Sequence, residues 1–273
     1  MNKPVKCFIV EGLDRDYRFV NELVTSLFKG RYSSITIFLP AEQNIYMLYQ
    51  KLEEDDFETD LVELLRESSS NAEQALKGID RQKIDEVFLF FDYDIHQRNL
   101  AGDQDPLVVL RKMISFFNNE TENGKLYISY PMVEALYDYV DGYCESFTKC
   151  LYPIDEIDCY KEKVGTNNRN ASRHYTRYQD WKMIFSIFGL KMQCLFCVDR
   201  IDYSFYSKKV TVESIFDRQN NYYLTNNVVF ILSAFPEFVL DYFKEPFWNA
   251  NINQHRNKYF KCPKKELPNP RLS

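Results

Sequence analysis

The stretch VFLFFDYDIH, residues 87–96, runs five apolar residues into two aspartates one residue apart. Strand side chains alternate between faces, so Asp92 and Asp94 share a side only where the chain stays extended beyond Phe91. Two carboxylates held that close repel unless a cation lies between them. Aspartate is also a common turn former, and the pair reads equally well as the opening of a turn. A third carboxylate, Glu11, ends the run FIVEG beside Gly12, which lets the backbone turn tightly and leaves room for a phosphate. Glu134 stands just beyond another apolar run. Magnesium takes a few carboxylates together with waters and phosphate oxygens. One or two such ions supply both the charge on a phosphoryl oxygen and the activated water that phosphodiester cleavage needs. Without a cation, Glu11 is a solvated strand-end residue and Gly12 a loop residue.

Weaker signals surround these carboxylates. Cys194 and Cys197 have the spacing of half a zinc site, yet no second Cys-x-x-Cys exists, and MQCLFCV reads as a core strand with buried thiols. His96 follows Asp94 closely and reads as a turn or surface residue, while His174 and His255 give no separate signal. Arg169, Arg173 and Arg177 recur every four residues, so a helix there would line them along one face, with Tyr178, Trp181, Phe185 and Phe188 on an apolar one. Such a stripe suits a phosphate backbone, and suits equally a solvated face.

The elements that must position these residues alternate in type. Residues 5–10 and 33–39 read as buried strands, the second closed by Pro40. Between them Phe19, Leu23, Val24, Leu27 and Phe28 recur at helical spacing, with Gly30 after the end. Residues 43–66 read as one or two helices. The segment SSSNAEQALKGI reads as a helix capped by Ser70, with Glu73 three residues on. A strand ending at Phe91, a helix from about Pro106 to Phe117 and a strand over 125–130 follow. Pro131 is placed in the first turn of a further helix. This alternation predicts an α/β fold with a parallel sheet covered on both faces, whose sites lie beyond the carboxyl ends of its strands. Glu11, Asp92, Asp94 and Glu134 all fall at such ends. After residue 145 the pattern turns helical, over 170–188, 206–219 and 226–243, the last kinked or divided by Pro236. The tail from His255 is basic and Pro-containing, and reads as irregular.

Composition sets the class. The chain has 273 residues, 45% of them hydrophobic, with 8 Gly and 10 Pro, which excludes a disordered or collagenous chain. No apolar run is long enough to span a bilayer, and the opening residues are too short an apolar run for a secretory signal, so the expectation is a cytoplasmic protein without a membrane partner. Seven Cys in a chain of this kind do not suggest a disulfide framework. The formal charge of −6 hides a division. Residues 1–160 hold 16 Lys and Arg against 30 Asp and Glu, net −14, and residues 161–273 hold 18 against 10, net +8. An acidic half beside a basic half suits a metal site next to a surface for a polyanion, though two surfaces unrelated to any ligand give the same sums.

The order strand-Glu-Gly, then strand-Asp-x-Asp, in a parallel α/β frame resembles the Toprim domain of topoisomerases, primases, small nucleases and the overcoming-lysogenisation-defect nucleases. The residues that carry the resemblance are FIVEG, with Glu11 and Gly12, and FLFFDYD, with Asp92 and Asp94, within the first half of the chain. It implies a Rossmann-like Toprim domain over 1–145, followed by a basic, mainly helical region over 146–273. It also implies that Asp92 and Asp94 hold Mg2+, or Mn2+ in its place, with Glu11 as ligand or general base. SYPMVEAL resembles the further acidic position of the nuclease branches, which makes Glu134 an auxiliary ligand. The family commonly has Asp four residues after the Glu. Here that position is Arg15, so either Asp14 or Asp16 substitutes or the role is absent, a departure from the standard topoisomerase and primase branches. The long additional domains of topoisomerases and primases have no counterpart, so the chain looks closer to stand-alone nucleases, several of which act in phage defence beside a partner ATPase. The expected activity is Mg2+-dependent cleavage of DNA or RNA, with an ATPase or a second copy of the chain as protein partners. The alternatives are a non-catalytic sensor or adaptor, and a metal-dependent nucleotide-processing enzyme.

Overall fold

The computed structural model describes residues 4–28, 30, 32–39, 44–96, 100, 104–139, 150–167 and 173–252. Pro40, Cys144, Arg169, His255, Cys262 and the basic tail lie outside them. The chain divides into two compact units, Met1–Ile128 with His174–Tyr178, and Ser129–Arg173 with Gln179–Ser273.

The first unit is built on a five-stranded sheet. Its strands are β1 (Val5–Val10), β2 (Ser33–Phe38), β3 (Ile84–Asp92), β4 (Asn118–Asn119) and β5 (Gly124–Ser129), in the order β2-β1-β3-β5-β4. β1 is parallel to both of its neighbours, β2 and β3, with Val10 opposite Phe38 on one side and Phe90 on the other. All six residues of β1 and the run Val87–Phe91 are buried, as expected of strands covered on both faces. The sequence analysis did not anticipate the short antiparallel pair β4–β5. Gly124 makes it possible: its φ is +99°, and a Cβ there would stand 2.7 Å from Leu89 Cδ1.

Helices α1 (Arg15–Leu23), α2 (Ile45–Glu54), α3 (Leu61–Ser68), α4 (Ser70–Ala75) and α5 (Pro106–Phe116) join these strands. α1 continues as a π-helical turn over Val24–Phe28 and buries Phe19, Val20, Leu23, Leu27 and Phe28. Asn44, Asp60 and Asp105 cap α2, α3 and α5 by accepting from backbone N–H groups of the first turn. α4 is capped by Ser69 rather than Ser70: the Ser69 hydroxyl accepts from Ala72 N, which places Ser70 inside the helix.

The second unit contains β6 (Leu151–Pro153), α6 (Tyr160–Asn167), α7 (Tyr178–Phe196), α8 (Tyr203–Lys209), α9 (Val212–Arg218), β7 (Val228–Phe230) and α10 (Ala234–Asn251). It is mainly helical, with the antiparallel pair β6–β7 added. Its core holds Trp181 and Trp248, the second tilted against Tyr206 at 4.7 Å between centroids. Among the described residues no helix is long and apolar enough to cross a membrane.

Several boundaries differ from the expected ones. The unit division falls after Ile128, not after 145, because Tyr130 exchanges both backbone hydrogen bonds with Leu232 of the second unit, at 2.7 and 2.8 Å. The same bridge holds Tyr130 extended, so Pro131 precedes a 3₁₀ helix (Val133–Asp138) instead of opening an α-helix. Pro236 does not divide α10, since it lies in the first turn, where N–H groups have no helical partner. The break comes at Lys244 (φ 58°, ψ −151°), two residues before Pro246, whose ring cannot tolerate the preceding helical turn. MQCLFCV is the end of α7, not a strand, since an apolar run this short fits a buried helix equally well. Cys194 is buried, whereas Cys197 is exposed just past the helix. The segment 206–219 spans parts of two helices, α8 and α9.

Candidate functional site

The order β2-β1-β3 places a topological switch point between the carboxyl ends of β1 and β3, where open α/β sheets form their binding crevice. Glu11 is the first residue beyond β1, and Asp92 is the last residue of β3. Past the end of β3 the burial alternation persists: Phe91 and Tyr93 are buried, Asp92 and Asp94 half-buried. That alternation is the period of an extended chain, which would set both aspartates on one side, and a turn follows directly at Ile95–His96. The N–H of Asp92 donates to Glu11 Oε2 at 3.5 Å, which ties the two strand ends together.

The electrostatics of this edge are those of crowded carboxylates. The Glu11 carboxyl is pushed up to about 7, first by burial and then by the negative charge of Asp94, against the lowering effect of the Asp92 N–H. Tyr46, near the start of α2, donates its hydroxyl to the backbone carbonyl of Asp94 at 2.9 Å. Burial, followed by the charges of Asp94, Tyr93, Glu11 and Asp105, drives the Tyr46 phenol well above its ordinary value, so it remains a donor. Sequence reasoning missed Tyr46 because an aromatic residue in an apolar helix face carries no signal of its hydroxyl's partner.

Of the two acidic residues beside Arg15, Asp16 lies against Gly12. It is buried in the first turn of α1, and a Cβ on Gly12 would lie 2.8 Å from its Oδ2. Asp14 is exposed. Gly12 is thus required by the closeness of the Asp16 carboxylate; its φ does not lie in the left-handed region, so a tight turn is not the reason.

The remaining predicted residues are placed differently. Glu134 belongs to the second unit, where it is buried in the 3₁₀ helix with Lys161 Nζ 3.8 Å away. Among the described residues no group of three or more His, Cys, Asp or Glu side chains is arranged to hold a metal ion. Glu11, Asp92 and Asp94 share a sheet edge without closing on one point. As hard oxygen donors they have the ligand chemistry that Mg2+ and Mn2+ select.

Arg173 and Arg177 do not share a helix face, because α7 begins only at Tyr178. Tyr175 explains the late start. Its N–H donates to Glu22 Oε2 at 2.8 Å and its carbonyl accepts from Ser26 Oγ at 3.1 Å, so neither group is left for a helical ladder. Arg173 instead reaches Asp180 Oδ1 at 3.2 Å, in the first turn of α7. His174, without a signal in the sequence, holds Glu22 Oε1 through Nδ1 at 2.6 Å. His96 is exposed. The chain matches no protein-family model, no curated protein and no solved structure.

Proposed function

We propose that the first unit carries a Toprim-like site that binds Mg2+, or Mn2+ in its place, and cleaves phosphodiester bonds in DNA or RNA. The observation that supports this reading is the tie between Glu11 and the Asp92 N–H at the β1/β3 switch point, with the Asp94 charge acting on Glu11. Asp92 and Asp94 act as ligands, and Glu11 as ligand or general base. A carboxyl raised to about 7 exchanges its proton near neutral pH, as an acid or base in phosphoryl chemistry must. Bound at this edge, the cation supplies charge on a phosphoryl oxygen and an activated water. Asp16, against Gly12, takes the position that Arg15 cannot fill, and Glu134, which belongs to the second unit, is left out of the site proposed here.

The basic half, including Arg169, Arg173 and Arg177, provides the contacts to the phosphate backbone. A cytoplasmic setting, an effector role in phage defence, a partner ATPase and self-association belong to the same proposal and rest on the Toprim resemblance alone. The direct test incubates the purified chain with supercoiled plasmid and with single-stranded RNA, with and without Mg2+ or Mn2+. Cleavage of either polymer that requires the cation and is lost in Asp92→Asn supports the proposal. Cation binding without cleavage of either favours the sensor or adaptor reading, and turnover of mononucleotides alone favours nucleotide processing.

A further inference from the structure

β3 ends at Asp92, yet Asp94 must keep the strand's direction for the two carboxylates to face one way. Two contacts do this. Tyr93, between the aspartates, is buried to 2% exposure and anchors the segment from the core side. From the other direction, the Tyr46 hydroxyl donates to the Asp94 carbonyl at 2.9 Å.

Tyr46 is itself rigidly held. It is the second residue of α2, it is 2% exposed, and Asn44 caps the same turn by accepting from Met47 N at 3.0 Å. A buried aromatic ring on a capped helix turn has little freedom, so its hydroxyl marks a fixed point in space. The hydroxyl also lies within electrostatic reach of Glu11, Asp94 and Asp105, so it is set among the carboxylates of the edge. As a neutral donor it can hold the backbone of one carboxylate without competing for a cation.

We infer that Tyr46 is a positioning residue for the cation site, fixing the Asp94 backbone so that Asp92 and Asp94 present their carboxylates together. The inference rests on the metal reading proposed above. Groups that orient a metal ligand through a second contact typically change metal affinity or activity by about 10- to 100-fold when removed. Tyr46→Phe deletes the hydroxyl and keeps the ring, so packing is preserved. Tyr49→Phe serves as the control, being a second buried tyrosine of α2 whose ring packs against Phe57, Phe116 and Phe117.

The experiment uses the full chain in three forms, wild type, Tyr46→Phe and Tyr49→Phe, with two measurements. Hydrogen exchange of peptides covering residues 92–96, without divalent cation, reads the backbone clamp alone. Titration with MnCl2 followed by calorimetry reads the site. The expected result is faster exchange at 92–96 and Mn2+ binding about 10- to 100-fold weaker in Tyr46→Phe only, with melting temperatures of the two variants close together. Unchanged exchange in Tyr46→Phe overturns the clamp whatever the metal does. Faster exchange with wild-type Mn2+ affinity overturns the link from clamp to site. A wild-type chain that binds no Mn2+, with exchange at 92–96 still faster in Tyr46→Phe, overturns the metal reading and the positioning role with it, while identifying the metal premise as the part that failed.

Discussion

Glu11 carries a proton for reasons that predict its behaviour in solution. Its carboxyl is raised to about 7 from an ordinary 4.5, so between these values the folded chain holds a proton that the unfolded chain has released. Stability from this group is therefore complete below the unfolded value and is lost as pH rises through about 7. Glu11→Gln cannot ionise, so its melting temperature should match wild type near pH 5 and exceed it at pH 8, by an amount worth roughly 1–3 kcal/mol. A difference between the two proteins that does not grow with pH would contradict this. In Asp94→Asn the negative charge that bears on Glu11 is removed, so this variant should melt higher than wild type without divalent cation, and Asp92→Asn, whose effect on Glu11 runs through its backbone N–H, should melt close to wild type. Each should also lose cation-dependent cleavage, because a neutral amide attracts a hard cation poorly. Full cleavage by either variant would sink its assignment as a ligand. The strand that ends at Asp92 was legible because a continuous apolar run fixes it, whereas residue type and period-2 spacing left the direction of Asp94 open between strand and turn. The close approach of Asp16 to Gly12 was not legible, since it is a tertiary fact.

At the scale of elements, apolar strands and amphipathic helices could be read wherever local pattern decides. β1, β3 and α5 stand where their sequences place them, because each is a continuous buried run or carries its own cap. Departures occur where a distant partner takes over the backbone. Residues 173–177 have helical spacing in sequence, yet Glu22 and Ser26, some 150 positions away, engage both backbone groups of Tyr175. Ser26 does so from the π-helical turn after α1, where its single hydroxyl proton is shared between Tyr175 O at 3.1 Å and Glu22 O at 2.6 Å. Glu22 is 8% exposed, so this arrangement sits in a dry environment. Glu22→Ala strands the buried Tyr175 N–H and should lower the free energy of unfolding by about 1–3 kcal/mol in urea titrations. Glu22→Gln keeps an acceptor for that N–H and should cost clearly less. Equal losses in the two variants would show that the Glu22 charge, through His174, matters more than the backbone contact.

For the whole molecule, the charge division is the feature that sequence alone states fully, while the way the chain divides between units is not. The return of His174–Tyr178 to the first unit depends on the Glu22 contacts and has no local signature. The division does carry a functional consequence. Under the proposed function, a half of net −14 that holds the carboxylate edge repels a polyanion, so any binding of DNA or RNA falls to the half of net +8. Within that half Arg173 is engaged by Asp180, so reversing its charge would disturb the start of α7 as well as any ligand contact. The tail is the cleaner test. Six of the 18 Lys and Arg of residues 161–273 fall in 253–273, against the single acidic residue Glu266. Removing one phosphate-bound cation should flatten the dependence of log affinity on log salt by about 0.7 for single strands and about 0.9 for duplex DNA. Replacing Lys258, Lys261, Lys264 and Lys265 together by Gln in the full chain should weaken binding most at low salt and reduce that slope. The melting temperature should stay near wild type. A wild-type slope in this variant, with a reduced one in Arg177→Gln, would instead assign phosphate binding to the segment leading into α7.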